Sequence, residues 1–159
     1  MKPPRYAPDS PLPAFPYLPG KNLRDANFQP AASIASDDWK SDTAYLHGID
    51  LFNHQYYWEA HEAWEHRWLP LADGDPLRTH LQGLIQASAA LLKIRLLEPT
   101  PACSIWKRGR SRLLQVAAGC PQEAYLGIEI LPLVQSIDTI IEVADPEFEV
   151  PCIVLSEGP

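Results

Sequence analysis

The chain is short of cysteine, short of basic residues and without any long apolar run, and each shortage removes a class of protein. Cys103, Cys120 and Cys152 are an odd number with no Cys-x-x-Cys spacing, which indicates neither a disulfide framework nor a zinc knuckle. They read as incidental or buried thiols. Thirteen Lys and Arg against twenty Asp and Glu leave a formal net charge of −7. A non-specific nucleic-acid or anionic-membrane binder would need the opposite balance to release counterions. Nothing approaches the roughly eighteen uninterrupted apolar residues of a membrane span, and Met1-Lys-Pro-Pro-Arg5 leads into no apolar signal-type stretch. A soluble cytoplasmic protein with no nucleic-acid and no membrane partner is expected.

What is present fits one globular domain: 159 residues, 46% hydrophobic and 21% charged. The 17 prolines are about twice the usual share, and they crowd the first thirty residues. Proline at that density blocks both helix and ladder pairing, so residues 1–40 are expected to be an extended arm. Tyr6, Leu12, Phe15, Tyr17, Leu18, Leu23 and Phe28 supply apolar anchors that would lay it on a helical body at 41–145. Residues 146–159, with Pro146 and Pro151, read as an extended tail.

The body reads as an all-α bundle of about five helices. The first is expected over Asp42 to Asn53 with Ser41 or Asp42 as N-cap, and the second over Tyr56 to Leu69, stopped by Pro70. Asp75-Pro76 is the clearest start signal, opening a third helix to about Leu97 that is apolar nearly all round and therefore central. Its polar strip is Gln82 and Gln86. A fourth helix is expected from Thr100-Pro101 to Gly119, with Lys107, Arg108, Arg110 and Arg112 as a solvated face, and a fifth from about Gly127, with Leu131, Leu133, Val134, Ile137, Ile140, Ile141 and Ala144 inward.

Function, if the sequence carries it, lies in residues 52–68, which hold three glutamates, three histidines and three tryptophans. At helical spacing Trp58, His61, Glu62, Glu65, Trp68 and Leu69 share one broad face. Carboxylates among indoles either line a cavity or form a buried polar network. Glu59, His61, Glu62 and Glu65 are expected to converge on Gln82 and Gln86 at the contact of the second and third helices, with Trp58, Trp64 and Trp68 as apolar walls.

Three chemistries remain open: a structural network or small-ligand pocket, a metal site, and acid–base catalysis. A divalent metal could use His61/Glu65 or Glu62/His66 at i, i+4, although the His-Glu-x-x-His string is broken and further ligands would come from His47, Asp50, His54 or His80. Acid–base hydrolase-like chemistry could use Glu62, Glu65 and His61, since crowded carboxyls push their pKa values apart, but no nucleophile stands in a recognisable context. The ligand stays undefined, and a homodimer is a further expectation for a small bundle with apolar surface.

Phe52-Asn53, Tyr57-Trp-Glu-Ala-His-Glu62 with Glu65 and Trp68, then Leu81-Gln-Gly-Leu-Ile-Gln86 with Ala89-Ala-Leu91, resemble the bacterial and archaeal family called domain of unknown function 309. The resemblance spans about Tyr45 to Ala144 and implies a small all-helical fold and a candidate site, with no reaction. Tyr17-Leu-Pro-Gly20 resembles an extension of some members, whose histidine-containing proline segment is replaced here by Lys21-Asn-Leu-Arg24. Gln55 stands where the family often has glycine, so a left-handed helix end there would fall on a residue with a Cβ.

Overall fold

A computed structural model describes residues 2–29 and 36–156. Residues 1, 30–35 and 157–159 of the expected arm and tail lie outside the described residues. The Asp42 carboxylate opens the bundle by accepting from the Tyr45 amide, which caps α1, Thr43–Asn53. A single 3-10 turn, Trp39–Ser41, precedes it. The other Asp42 oxygen takes the Arg67 guanidinium at 2.6 Å, with both side chains buried, so the start of α1 is fixed to the end of α2, Tyr57–Trp68. Removing one partner of such a pair costs about 3–5 kcal/mol because the other is left charged and dry.

Asp75 caps α3, Pro76–Arg95, with proline at its first position. α4, Pro99–Gly119, begins one residue earlier than the Thr100-Pro101 signal suggests, because Pro99 itself takes the first helical position. α5 is Ile130–Val143 and stops at Ala144 in the left-handed conformation. These five helices and the 3-10 turn, with one isolated bridge between Tyr125 and Ile128, are the regular structure of the described residues.

α3 is the central helix: it packs on α2, α4 and α5, and Leu81, Leu84, Ala87, Ala90 and Leu91 are wholly buried. Its crossing with α4 is close because glycine meets glycine. A Cβ on Gly109 would lie 2.9 Å from Cβ of Gln86 and 3.2 Å from the Gly83 carbonyl oxygen. α1 and α2 are tighter still, since a Cβ on Gly48 would come within 2.1 Å of the Trp64 indole nitrogen. On α5, Leu131 is more than half exposed and leaves the expected inward face, while Leu133, Val134, Ile137 and Ile140 are buried.

Residues 2–29 of the arm lie on α1 and α2 without helix or strand, held largely through the main chain. Asp50, fully buried, accepts from the Tyr6 amide, the Ala7 amide and the Arg5 guanidinium at 2.7–2.9 Å. His47 Nε2 donates to the Pro11 carbonyl, which can only accept, so the proton sits on Nε2. Of the expected anchors, Tyr6, Leu12, Leu18 and Phe28 pack against the core, whereas Leu23 and Phe15 are exposed. The tail is read in the same way: the Asn53 amide gives to and takes from the backbone of Ile153, both at 2.7 Å.

Candidate functional site

Tyr57 to Trp68 is helical because Tyr56 follows a chain reversal at His54-Gln55 and none of the twelve residues after it is β-branched, glycine or proline. α2 then turns its small and aromatic side chains, Tyr57, Ala60, Ala63 and Trp64, into the core. The acidic residues Glu59 and Glu62 are left on the side that meets the arm, and this corrects the expected convergence on the glutamine strip. Gln86 is engaged by Arg112 of α4 at 3.0 Å, and no hydrogen bond of Glu59, Glu62 or Glu65 among the described residues reaches Gln82 or Gln86. Polar ties between α2 and α3 are instead the Ser88 hydroxyl, which donates to the Tyr57 carbonyl at 2.6 Å, and the Arg78 guanidinium, which donates to the Trp68 carbonyl at 3.2 Å.

The physical reason is size. Ala60 and Ala63 let α2 approach α3 closely, and a wall of carboxylates at that contact would have to be desolvated. The arm offers those acids backbone amides outside any helix, and an arginine in reach of Glu62. Glu59 Oε1 accepts from the Tyr17 amide at 2.7 Å, and Glu62 pairs with Arg24. Trp58 stands edge-on to Tyr17, ring centroids 5.1 Å apart, and leans on His61. His61 and Glu65 form an i, i+4 contact at 3.6 Å on a half-exposed strip, and His66 is exposed. Trp68 lies apart from this group, with the Arg78 guanidinium 4.0 Å over its ring, and Trp64 is sealed in the core with its indole N–H on the Tyr45 carbonyl. Neither is a wall of a shared cavity with Trp58.

Where arm and α2 meet they leave a cleft of about 220 Å³, lined by Pro13, Tyr17, Arg24, Asp25, Phe28 and Glu59. Glu59 is only 5% exposed, and its second oxygen, Oε2, is buried with no hydrogen-bond partner. Burial is the main influence on this carboxyl and raises its pKa, partly offset by the Tyr17 amide. Asp25 across the cleft is held below its ordinary value by the Ala14 and Asn27 amides. Arg24 and Asp25 escaped the sequence reading because a lone charged pair in a proline-rich stretch looks like solvated linker. The signal for Tyr17 was present in its place among the arm's apolar anchors.

For a metal, the described residues contain no group of three His, Cys, Asp or Glu side chains placed to share an ion. Of the supporting candidates, His47, Asp50 and His80 are engaged elsewhere. Both Asp50 oxygens are taken by the arm, and His80 is wholly buried on α3. The Tyr45 hydroxyl donates to the Leu126 carbonyl, so His80 Nε2 donates to that hydroxyl, and burial holds the imidazole neutral with a pKa down at about 3.

Residues 45–105 match a family model described as a domain of unknown function (DUF309). This segment is similar to the DUF309 family. No curated protein matches the sequence. The matched segment takes in nearly all of α1, the whole of α2 and α3, and the start of α4, so it contains Asp50, Glu59 and Glu62. Tyr17, Arg24 and Asp25 lie outside it. The cleft is thus shared between the DUF309-like segment and the arm that precedes it.

Proposed function

We propose that this protein is a non-catalytic small-ligand binder whose pocket is the cleft between the proline-rich arm and α2. The observation that carries this reading is Glu59 Oε2, a buried oxygen of a cleft-lining residue that has no hydrogen-bond partner among the described residues. Buried carboxylate oxygens are normally paired, and an unpaired one costs about 1–3 kcal/mol or more that a purely structural glutamate has no reason to bear. A hydrolase using Glu62, Glu65 and His61 draws less support. Arg24 occupies Glu62, and the His61–Glu65 pair is not among the residues that line the cleft.

Stability against pH tests the reading. The neutral form of Glu59 is the one the fold favours, so its contribution is complete below the ordinary value of 4.5 and is lost as pH rises through the higher folded-state value. The Glu59→Gln variant keeps an oxygen for the Tyr17 amide and removes the buried charge. Its melting temperature at pH 7 should equal or exceed that of the wild type, with the difference closing towards pH 4. A loss at pH 7 of several kcal/mol, the size expected on breaking a buried network, would make Glu59 a structural group and contradict the proposal.

A further inference from the structure

We infer that the cleft selects a small cation carrying N–H donors, an amine or guanidinium, and that Glu59 Oε2 is its acceptor. The inference rests on the small-ligand reading above and adds the ligand's charge and a coupling to protons. A carboxylate oxygen is acceptor-only when ionised, so a group that satisfies it must bring a proton donor. The charges around it decide between a neutral donor and a cation.

Glu59 and Asp25 line the cleft, and Glu62 stands beside it on α2, giving three carboxyl groups to the single guanidinium of Arg24. Arg24 is committed to Glu62. Asp25, stabilised as the anion by two backbone amides, has no ion-pair partner among the described residues and leaves the space electronegative. The aromatic wall is already suited to a cation. The Arg24 guanidinium lies 5.7 Å from the centroid of Tyr17, the face a ligand would share, and Phe28 supplies a second ring. A volume of 220 Å³ equals about seven waters at roughly 30 Å³ each, which suits a ligand of few heavy atoms.

Burial favours neutral Glu59, and a bound cation favours the anion, so binding expels a proton from this carboxyl. The groups that face or act on it are Glu62 and Tyr56 from α2 and its start, and Tyr17, Arg24 and Asp25 from the arm. None of the arm or α2 groups is a histidine in contact with Glu59, so the pH response belongs to the carboxyl.

The test is a nuclear magnetic resonance titration of the full chain with methylguanidinium chloride, and separately with urea, a neutral planar molecule with similar N–H donors. Methylguanidinium should shift the Tyr17 amide and the Trp58 indole saturably, with affinity rising as pH increases from 4.5 through the Glu59 titration, by at most about tenfold per pH unit. The Glu59→Gln variant, whose retained Tyr17 amide resonance reports an intact arm, should lose about tenfold or more in methylguanidinium affinity. Undiminished affinity in that variant overturns the assignment of Glu59. If urea binds as well as methylguanidinium and depends on Glu59, the cation preference fails while the pocket stands. If neither probe perturbs these resonances up to about 50 mM, generous for so few ligand atoms, the pocket reading fails with it.

Discussion

Leu97 sits just past α3 with φ of +61° and is two-thirds exposed, an unusual place for a residue with a Cβ. Its amide donates to Ile94 and that of Glu98 to Lys93, the paired bonds that close a helix through a left-handed residue. Gln55 does the same after α1 at φ +71°, its amide on Phe52 and that of Tyr56 on Leu51. The Gln55 conformation was foreseeable from the glycine that the resembled family carries there. The one at Leu97 was not, because leucine offers no signal for it. Gln55 repays its strain by accepting from Arg95 at 2.8 Å, whereas Leu97 makes no comparable bond. Leu97→Gly should therefore stabilise the protein by about 0.5–1 kcal/mol in urea denaturation, and a loss of stability would show that its side-chain packing outweighs the backbone strain.

Among the elements, α2 divides its two faces by charge. The sequence shows both sets of residues: small or aromatic at Tyr57, Ala60, Ala63 and Trp64, and acidic at Glu59, Glu62 and Glu65. Periodicity establishes that they lie on different sides and leaves open which partner each side meets. The boundaries of the first four helices were legible within about two residues because Asp42, Asp75-Pro76 and Thr100-Pro101 are local signals, whereas α5 begins at Ile130 and not at the expected Gly127. The match of acids to the arm was not legible, because it depends on backbone amides that carry no residue-type signal. The contact of α1 with α2 is the most demanding of the close approaches. Gly48→Ala would drive a methyl into the Trp64 indole and break its bond to the Tyr45 carbonyl, so a loss of about 3 kcal/mol is expected in chemical denaturation. A change below about 0.5 kcal/mol, the ordinary range for surface sites, would contradict this packing.

At the scale of the whole molecule, the bundle is finished by chain that has no regular structure of its own. Asp50, His47 and Glu59 bind the arm, Asn53 binds the tail, and the Leu155 amide donates to the Tyr6 hydroxyl so that the two extended segments meet. Helix-borne polar groups thus satisfy the backbone of proline-rich segments that cannot form a ladder. No helix of the described residues is long and apolar enough to cross a membrane. Proline content and scattered apolar anchors were the signals for an arm, while the amides that meet Asp50 and Glu59 carry no signal in the sequence. The central claim is that the acidic side of α2 grips this arm. Amide hydrogen exchange in the wild type and in Glu59→Ala tests it most directly. The Tyr6, Ala7 and Tyr17 amides should be protected in the wild type, with protection lost at Tyr17 and kept at Tyr6 and Ala7 in the variant. Tyr17 exchanging at the rate of an unstructured peptide in both proteins would contradict the account.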